Sequence, residues 1–397
     1  MDKIDELLTR RVDKIYPSKE ALEKALRSGK KLRLYQGFDP SSPNLHIGHL
    51  VGLLKLAEFQ ALGHEVIFLI GDFTGMIGDP SGKAEARKVL TKKQVLANAK
   101  TYQDQAGIIL NFSGKNPVQL KFNSEWNSKL KFTDVLKLAG HFTLQQLIER
   151  DMFQKRLKKS KEIYFNEFMY PLMQGYDSVA MKIDLEIGGS DQMFNMMAGR
   201  KLVKEILAKE KFVITTKLLV DAQGNKIGKT EGNVINIAQS SKDFYSQIMS
   251  LTDEAILPCF KLITKISLTK IKEIEKALKK GENPMKYKKM LAFELTKMLN
   301  NEEQAGKAQK EFEKIFQKGK LPTKIPKVKI RGGEWNIIDL LMEVKLCSSR
   351  SQAKRLVEQG GVEIDKIRIK DPKLKIKIKN GSVIRVGKRK FVRLIIK

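Results

Sequence analysis

Two short clusters hold the residue types that chemistry at a phosphate group requires. In Pro43-Asn44-Leu45-His46-Ile47-Gly48-His49 two histidines stand three residues apart, so they share a face at the start of a helix. A helix N-terminus with free N–H groups binds phosphate, and neighbouring imidazoles can donate to developing negative charge. Gly48 has no side chain, which leaves room for a flat base against the backbone. Further along, Lys226-Ile227-Gly228-Lys229-Thr230 follows a turn built from Gly224 and Asn225. Two lysines flanking a glycine there can close over a triphosphate and neutralise a leaving pyrophosphate. Zinc is a weaker reading of the histidines, since no third ligand with suitable spacing is evident. Gly78-Asp-Pro-Ser-Gly82-Lys83 resembles a P-loop but is one residue short, and Ala84 stands where a hydroxyl is needed. It is read instead as a glycine-rich wall that presents Asp79. Taken singly, the histidines also fit a capped surface helix, and the lysines an ordinary basic turn.

These clusters need a frame to bring them together. Leu32–Gln36 reads as a strand, followed by a loop at Gly37–Asn44 and an amphipathic helix at about His46–Leu62. Further strands are expected at Glu65–Gly71, Val118–Phe122 and Asp184–Ile187, with helical patterns at Thr133–Leu138, Leu144–Leu157 and Tyr164–Tyr176 between the last two. Strands alternating with helices imply α/β architecture, a doubly wound parallel sheet of Rossmann-like type. In such sheets ligands bind beyond the carboxyl ends of the strands, at a switch point. Gly37–His49, Gly71–Asp79, Gly188–Gln192 and Asp221–Thr230 all follow predicted strands, so their convergence on one edge makes a composite site. After Asn225 the pattern turns helical at Phe244–Leu251, Leu268–Lys280, Pro284–Asn300 and Glu302–Lys318. Leu321–Lys329, with two prolines and three lysines, reads as a linker. Beyond it two short helices, Ile337–Val344 and Ser349–Gln359, precede β-patterned runs.

A length of 397 residues allows two or three domains. The formal net charge is +30, and roughly half of it lies after Leu321, whereas a uniform lysine bias would spread it evenly. That distribution favours a polyanion-facing tail. Cys259 and Cys347 are far apart and in no C-x-x-C pair, which argues against a disulfide framework or a cysteine-based zinc site. Met1–Arg10 lacks the apolar core of a signal peptide, and no apolar run is long enough to span a membrane. A cytoplasmic protein is expected.

The two clusters together resemble the signature pair of class I aminoacyl-tRNA synthetases. The text between them is more particular. Tyr35-Gln-Gly-Phe-Asp39-Pro, Thr74-Gly-Met-Ile-Gly-Asp79-Pro-Ser-Gly, Tyr170-Pro-Leu-Met-Gln174-Gly-Tyr-Asp177 and Gly188-Gly-Ser-Asp191-Gln192 resemble bacterial tyrosyl-tRNA synthetases in order and spacing, over almost the whole chain. The resemblance implies a role for each matching position. Tyr35 and Asp177 would bond the phenolic hydroxyl of tyrosine. Asp79, Tyr170 and Gln174 would hold its α-ammonium group, with Gln192 near the carboxylate. Asp39, Gly48 and Asp191 would contact the adenylate, Asp191 at the ribose. Ser41, His46, His49, Lys226, Lys229 and Thr230 would stabilise the transition state at the ATP phosphates. Magnesium would accompany ATP as substrate, with no metal held tightly by the protein. Thr230 stands in place of the commoner serine, and Met193 where many relatives carry tryptophan.

The tail from about Trp335 resembles the small RNA-binding fold first described in ribosomal protein S-four. Its Ser348-Ser-Arg350-Ser-Gln-Ala-Lys354-Arg355 helix and Lys388-Arg389-Lys390 would meet tRNA phosphates. The resemblance thus implies a Rossmann-like catalytic domain over 1–230, a helical anticodon-side domain over 231–325 and an α+β RNA-binding domain over 335–397. It also implies a homodimer acting on L-tyrosine and tRNA(Tyr). Tryptophan-specific relatives share this fold, but the Tyr35–Asp177 pair and the tail argue against them. A catalytically silent RNA-binding protein on the same scaffold predicts eroded histidines or lysines, and all are intact.

Overall fold

Unbroken apolar runs, rather than alternating ones, mark strands covered on both faces. Glu65-Val-Ile-Phe-Leu-Ile is such a run, and every residue after Glu65 is buried. In the computed structural model, which describes residues 2–81, 90–221, 224–230, 233–314, 325–347, 349–365, 367–387 and 390–396, this run is an interior strand of a six-stranded sheet. The strands are β1 (Val12–Tyr16), β2 (Arg33–Phe38), β3 (Glu65–Ile70), β4 (Gln119–Phe122), β5 (Leu185–Gly189) and β6 (Phe212–Thr216). Their order is β1-β6-β5-β2-β3-β4. All neighbours are parallel except β1, which runs antiparallel to β6 at the edge. The chain winds outward from β2 through β3 to β4, then returns to lay β5 on the other side of β2. The switch point therefore lies between the carboxyl ends of β2 and β5.

The crossover from β2 to β3 departs from the amphipathic helix expected there. A single 3-10 turn, Ile47–His49, leads into helix Leu50–Ala61, which is buried on nearly every side, Lys55 included. The run Leu50-Val-Gly-Leu-Leu is too continuously apolar for a surface helix. Gly63, at φ +86°, lets the chain turn directly into β3. The expected helix over Leu144–Leu157 is two helices, Leu144–Ile148 and Asp151–Leu157, parted at Arg150. Strands β1 and β6 and helix Ile256–Ile263 gave no sequence expectation, because their apolar residues are too few or too continuous to fix a period.

Two compact units divide the chain, Met1–Ala305 and Gly306–Lys397. In the first, Arg10 and Arg11 donate to the carbonyls of Leu262 and Thr264, and so satisfy the carboxyl end of helix Ile256–Ile263. Helix Glu302–Phe312 ends before the expected Lys318 region, whose later part lies outside the described residues. In the second unit, helices Ile337–Glu343 and Arg350–Glu358 cover a five-stranded sheet around Ile337, Leu340, Leu341, Val357 and Leu394. Part of the expected linker is a strand of that sheet: Lys327–Ile330 pairs in parallel with Arg393–Ile396. That pairing spans some sixty residues of sequence, so no local pattern announces it.

Candidate functional site

Beyond the switch point the four expected loops line one cleft with a cavity volume of about 240 Å³. Ser41, His46, Gly48 and His49 come from the first, Gly71 and Asp79 from the second, Gly188, Asp191 and Gln192 from the third, and Lys226 from the fourth. Tyr35, Asp39, Tyr170, Gln174 and Asp177 line it too. Lys229 and Thr230 form the short strand β7 (Lys229–Thr230), which pairs with β8 (Asn233–Val234); their side chains lie outside the described residues.

Helix Asn166–Ala180 supplies Tyr170, Gln174 and Asp177, spaced so that all three fall on one face. Helix Met193–Leu207 lies hard against it, since a Cβ on Gly175 would stand 3.2 Å from the Gly199 nitrogen. Asp177 is 2% exposed. Its Oδ1 accepts from Trp126 Nε1 at 2.7 Å and Asn127 Nδ2 at 3.0 Å, and its Oδ2 from Asn123 Nδ2 at 3.2 Å. Burial pushes the Asp177 carboxyl well above its usual range, and these three N–H donors pull it back. Tyr35 Oη lies 3.1 Å from Ser178 Oγ, and burial beside Glu186 and Asp177 raises its phenol well above the ordinary value. A hydroxyl and a carboxylate thus stand fixed at the closed end, each held by other residues.

Midway along the cleft, Tyr170 Oη donates to Asp39 Oδ2 at 2.8 Å, while Thr74 Oγ1 donates to Asp39 Oδ1 at 2.7 Å. A Cβ on Gly71 would come within 2.0 Å of that Oδ1, which is why the strand ends in glycine there. Asp79 accepts from Gln192 Nε2 at 2.6 Å and from the Ser81 amide at 2.9 Å. Gln174 Nε2 donates to Glu186 at 3.0 Å.

At the mouth, His46 Nδ1 accepts the Gly48 amide at 3.1 Å and His49 Nδ1 accepts the His46 amide at 3.0 Å. Acceptance at Nδ1 leaves the proton of each neutral ring on Nε2. The ring centroids are 3.9 Å apart, so two N–H donors stand side by side. A Cβ on Gly48 would lie 2.9 Å from the His46 ring. The expectation of free backbone N–H groups is corrected here. The Gly48 amide is taken by His46 Nδ1, and the His49 and Leu50 amides close the 3-10 turn. Side chains, not backbone, are left to meet an anion. Lys226 Nζ donates to Asp191 Oδ2 at 3.0 Å in a half-exposed pair. Such a pair is worth about 0–1 kcal/mol, so an anion competes with it readily. The segment after Lys226 is stitched to the histidine turn: the Ile47 amide donates to Ile235 O at 3.0 Å and the Ile237 amide to Leu45 O at 2.9 Å.

Several residues of the site escaped the sequence reading. Trp126, Asn127, Asn123 and Ser178 carry no motif and meet Asp177 and Tyr35 only through the fold. Glu186 and Lys211 gave a signal: charges inside or beside apolar strand runs need buried partners. In the second unit Arg350, Lys354 and Arg355 are exposed on one helix, with Arg350 paired to Asp339 at 2.6 Å and Lys354 near Glu358 at 3.9 Å. Ser348, Lys388 and Arg389, and the side chain of Lys390, lie outside the described residues.

Comparison with known proteins follows the same division. The family profile of tRNA synthetases class I (W and Y) matches residues 27–317, and that of the tyrosine–tRNA ligase SYY-like C-terminal domain matches 316–394. The tyrosine–tRNA ligase of Thermotoga maritima is 46% identical over 98% of this chain and 96% of that protein. Its counterpart from Aquifex aeolicus is 41% identical over 95% and 94%. Among solved structures, a C-terminally truncated mitochondrial tyrosyl-tRNA synthetase of Coccidioides posadasii superposes with a TM-score of 0.63 at 25% identity, covering 78% of this chain and 91% of that one. The enzyme of Archaeoglobus fulgidus complexed with L-tyrosine gives 0.60 at 22%, covering 77% and 98%, a likeness of fold.

Proposed function

The chain belongs to the class I tRNA synthetases of the tryptophan and tyrosine group, and from that premise we propose which of its residues carry each step. It activates L-tyrosine with ATP, releasing pyrophosphate, and transfers the tyrosyl group to the 3′ end of tRNA. Tyrosine enters with its phenol toward Tyr35 and Asp177. The lone pair left on Asp177 Oδ2 accepts a hydrogen bond from the phenolic hydroxyl, and Tyr35 meets the phenolic oxygen. Phenylalanine would leave the remaining lone pair of Asp177 and the cleft-facing side of the Tyr35 hydroxyl unmet, which is where selectivity arises. Asp79, Tyr170 and Gln174 receive the α-ammonium group, and Gln192 turns from Asp79 to the carboxylate.

The substrate carboxylate is already a nucleophile, so the first step needs no general base. One of its oxygens attacks the α-phosphorus of ATP, and the bond to the pyrophosphate oxygen breaks. Catalysis is positioning plus stabilisation of charge on the phosphoryl oxygens. The Nε2–H groups of His46 and His49, with Ser41, Lys226, Lys229 and Thr230, serve that purpose. Asp39 and Asp191 take the adenylate, Asp191 at the ribose once Lys226 has moved to phosphate, with the base packed near Gly48. A terminal ribose hydroxyl of tRNA then attacks the tyrosyl carbonyl, and AMP leaves. Magnesium is proposed to arrive on the ATP phosphates.

The three-domain division (1–230, 231–325, 335–397) is part of the same proposal, as is contact of Arg350, Lys354, Arg355 and Lys388–Lys390 with tRNA. A homodimer is supported by Phe132 and Phe165, 76% and 75% exposed, with Leu136 and Leu144 nearby in sequence and also exposed. The cytoplasm, where ATP and tRNA are found, is the proposed location. The observation that carries the residue assignment is the fixed hydroxyl–carboxylate pair at the closed end of the cleft. ATP–pyrophosphate exchange with tyrosine, tryptophan and phenylalanine in parallel tests it. Exchange with tyrosine alone is the expected result; exchange with tryptophan or phenylalanine at a comparable rate would break the assignment.

A further inference from the structure

A buried ion pair lies beneath the closed end of the cleft, and no role assigned above uses it. Lys211, 0% exposed, contacts Glu186 Oε2, and its Nζ donates to Ser178 Oγ at 2.7 Å. Glu186 Oε1 accepts from Gln174 at 3.0 Å, and Ser178 Oγ lies 3.1 Å from Tyr35 Oη. One branch from Lys211 thus leads to the phenol end of the cleft, the other to the ammonium end. Buried pairs often add nothing to net stability compared with apolar packing. The surrounding backbone is nevertheless shaped to admit this one: a Cβ on Gly199 would stand 2.6 Å from Lys211 Nζ and 3.1 Å from Ser178 Oγ.

We propose that Lys211, with Glu186, is a positioning residue for tyrosine recognition, setting the direction of the hydrogen bonds that end on the substrate hydroxyl. An ammonium group only donates. Ser178 Oγ must therefore accept from Lys211, and its single proton goes to Tyr35 Oη at 3.1 Å or to Glu186 Oε2 at 3.3 Å. Glu186 Oε2 can accept from both Lys211 and Ser178, but a phenol that donates to Asp177 needs a donor on its other side, so Tyr35 must give its proton to the phenol and accept that of Ser178. Tyr35 then accepts from Ser178 and turns its own proton into the cleft. The order runs Lys211 to Ser178 to Tyr35 to substrate phenol to Asp177, from a buried cation to a buried carboxylate. Each hydroxyl in it accepts once and donates once. Reversing a link would set two donors or two acceptors face to face.

This inference rests on the reading of Tyr35 and Asp177 given above, and the test separates the two. Pyrophosphate-exchange kinetics with tyrosine and with phenylalanine are compared for Tyr35→Phe, Ser178→Ala and the double variant Lys211→Met/Glu186→Gln. The double variant removes both charges, so no lone carboxylate is left buried; should it fail to fold, Ser178→Ala decides alone. Loss of one neutral hydrogen bond predicts about a tenfold fall in kcat/KM for tyrosine, expressed in KM, with phenylalanine unchanged. If Tyr35→Phe lowers the tyrosine preference while Ser178→Ala and the double variant leave it unchanged, or reduce both substrates equally, the ion pair is only structural and the inference is overturned. If Tyr35→Phe itself leaves the preference unchanged, the reading of the phenol site fails, and the inference with it.

Discussion

Replacing Asp177 by asparagine exchanges one carboxylate oxygen for an NH2 group and inverts the chemistry at the closed end of the cleft. The amide oxygen can take the place of Oδ1, where Trp126 and Asn127 converge at 2.7 and 3.0 Å. The new NH2 group then faces Asn123 Nδ2 across 3.2 Å, donor against donor. Asn123 keeps its other bond, to Thr74 Oγ1 at 2.9 Å, so one buried N–H is orphaned. Its cost is about 1–3 kcal/mol of fold stability. For the substrate, a bond from the phenol to a carboxylate becomes a donor–donor contact. A hydrogen bond to a charged group is worth about 1.5–3 kcal/mol, roughly ten- to 150-fold in kcat/KM. The assay is pyrophosphate exchange with tyrosine and phenylalanine, beside a thermal melt at the same pH. Tyrosine should lose that factor while phenylalanine is unaffected. An equal loss for both amino acids in a stably folded variant would refute the reasoning, since it would mean that Asp177 shapes the cleft without meeting the hydroxyl.

Gly228 sits at φ +68° with its absent Cβ 2.7 Å from Ile47, so Gly228→Ala strains the contact between the lysine loop and the histidine turn. We expect kcat in exchange to fall about tenfold with KM for tyrosine unchanged, given about 1–2 kcal/mol of left-handed strain; a rise in tyrosine KM alone would contradict this. Changing Arg350, Lys354 and Arg355 together to alanine should weaken tRNA charging and flatten its salt dependence by about two units of log–log slope, leaving exchange intact. Phe165→Asp replaces a 75% exposed ring by a charge and should convert the proposed dimer to monomer in sedimentation velocity; an unchanged sedimentation coefficient would remove this face from the proposed interface. Burial pushes the Cys259 thiol up to about 12 from an ordinary 9.0. Its contribution to stability is therefore complete below pH 9 and is lost as the pH rises toward 12. Comparison with Cys259→Ala in urea unfolding, where the mutant should show the shallower decline, measures it.

Much of the frame can be read from the chain itself. Strands β2 to β5 declare themselves through apolar runs, and the loops after them through glycine and polar residues, because both signals are local. The residues proposed to meet substrate, such as His46, His49, Asp79 and Lys226, stand in short motifs for the same reason: a turn, its cap and its glycine must be neighbours in sequence. What the tertiary structure alone decided is what holds those groups. Asp177 owes its orientation to Asn123, Trp126 and Asn127, some fifty residues earlier, and Tyr35 to Ser178 and, through it, Lys211. The amides of the histidine turn were expected to be free for phosphate and are instead consumed by that turn. Lys327–Ile330 reads as a linker until its partner strand, sixty residues on, pairs with it. A hydrogen bond between distant residues leaves no periodicity in the sequence, since its partners are brought together only by the packing of the helices and sheet that carry them.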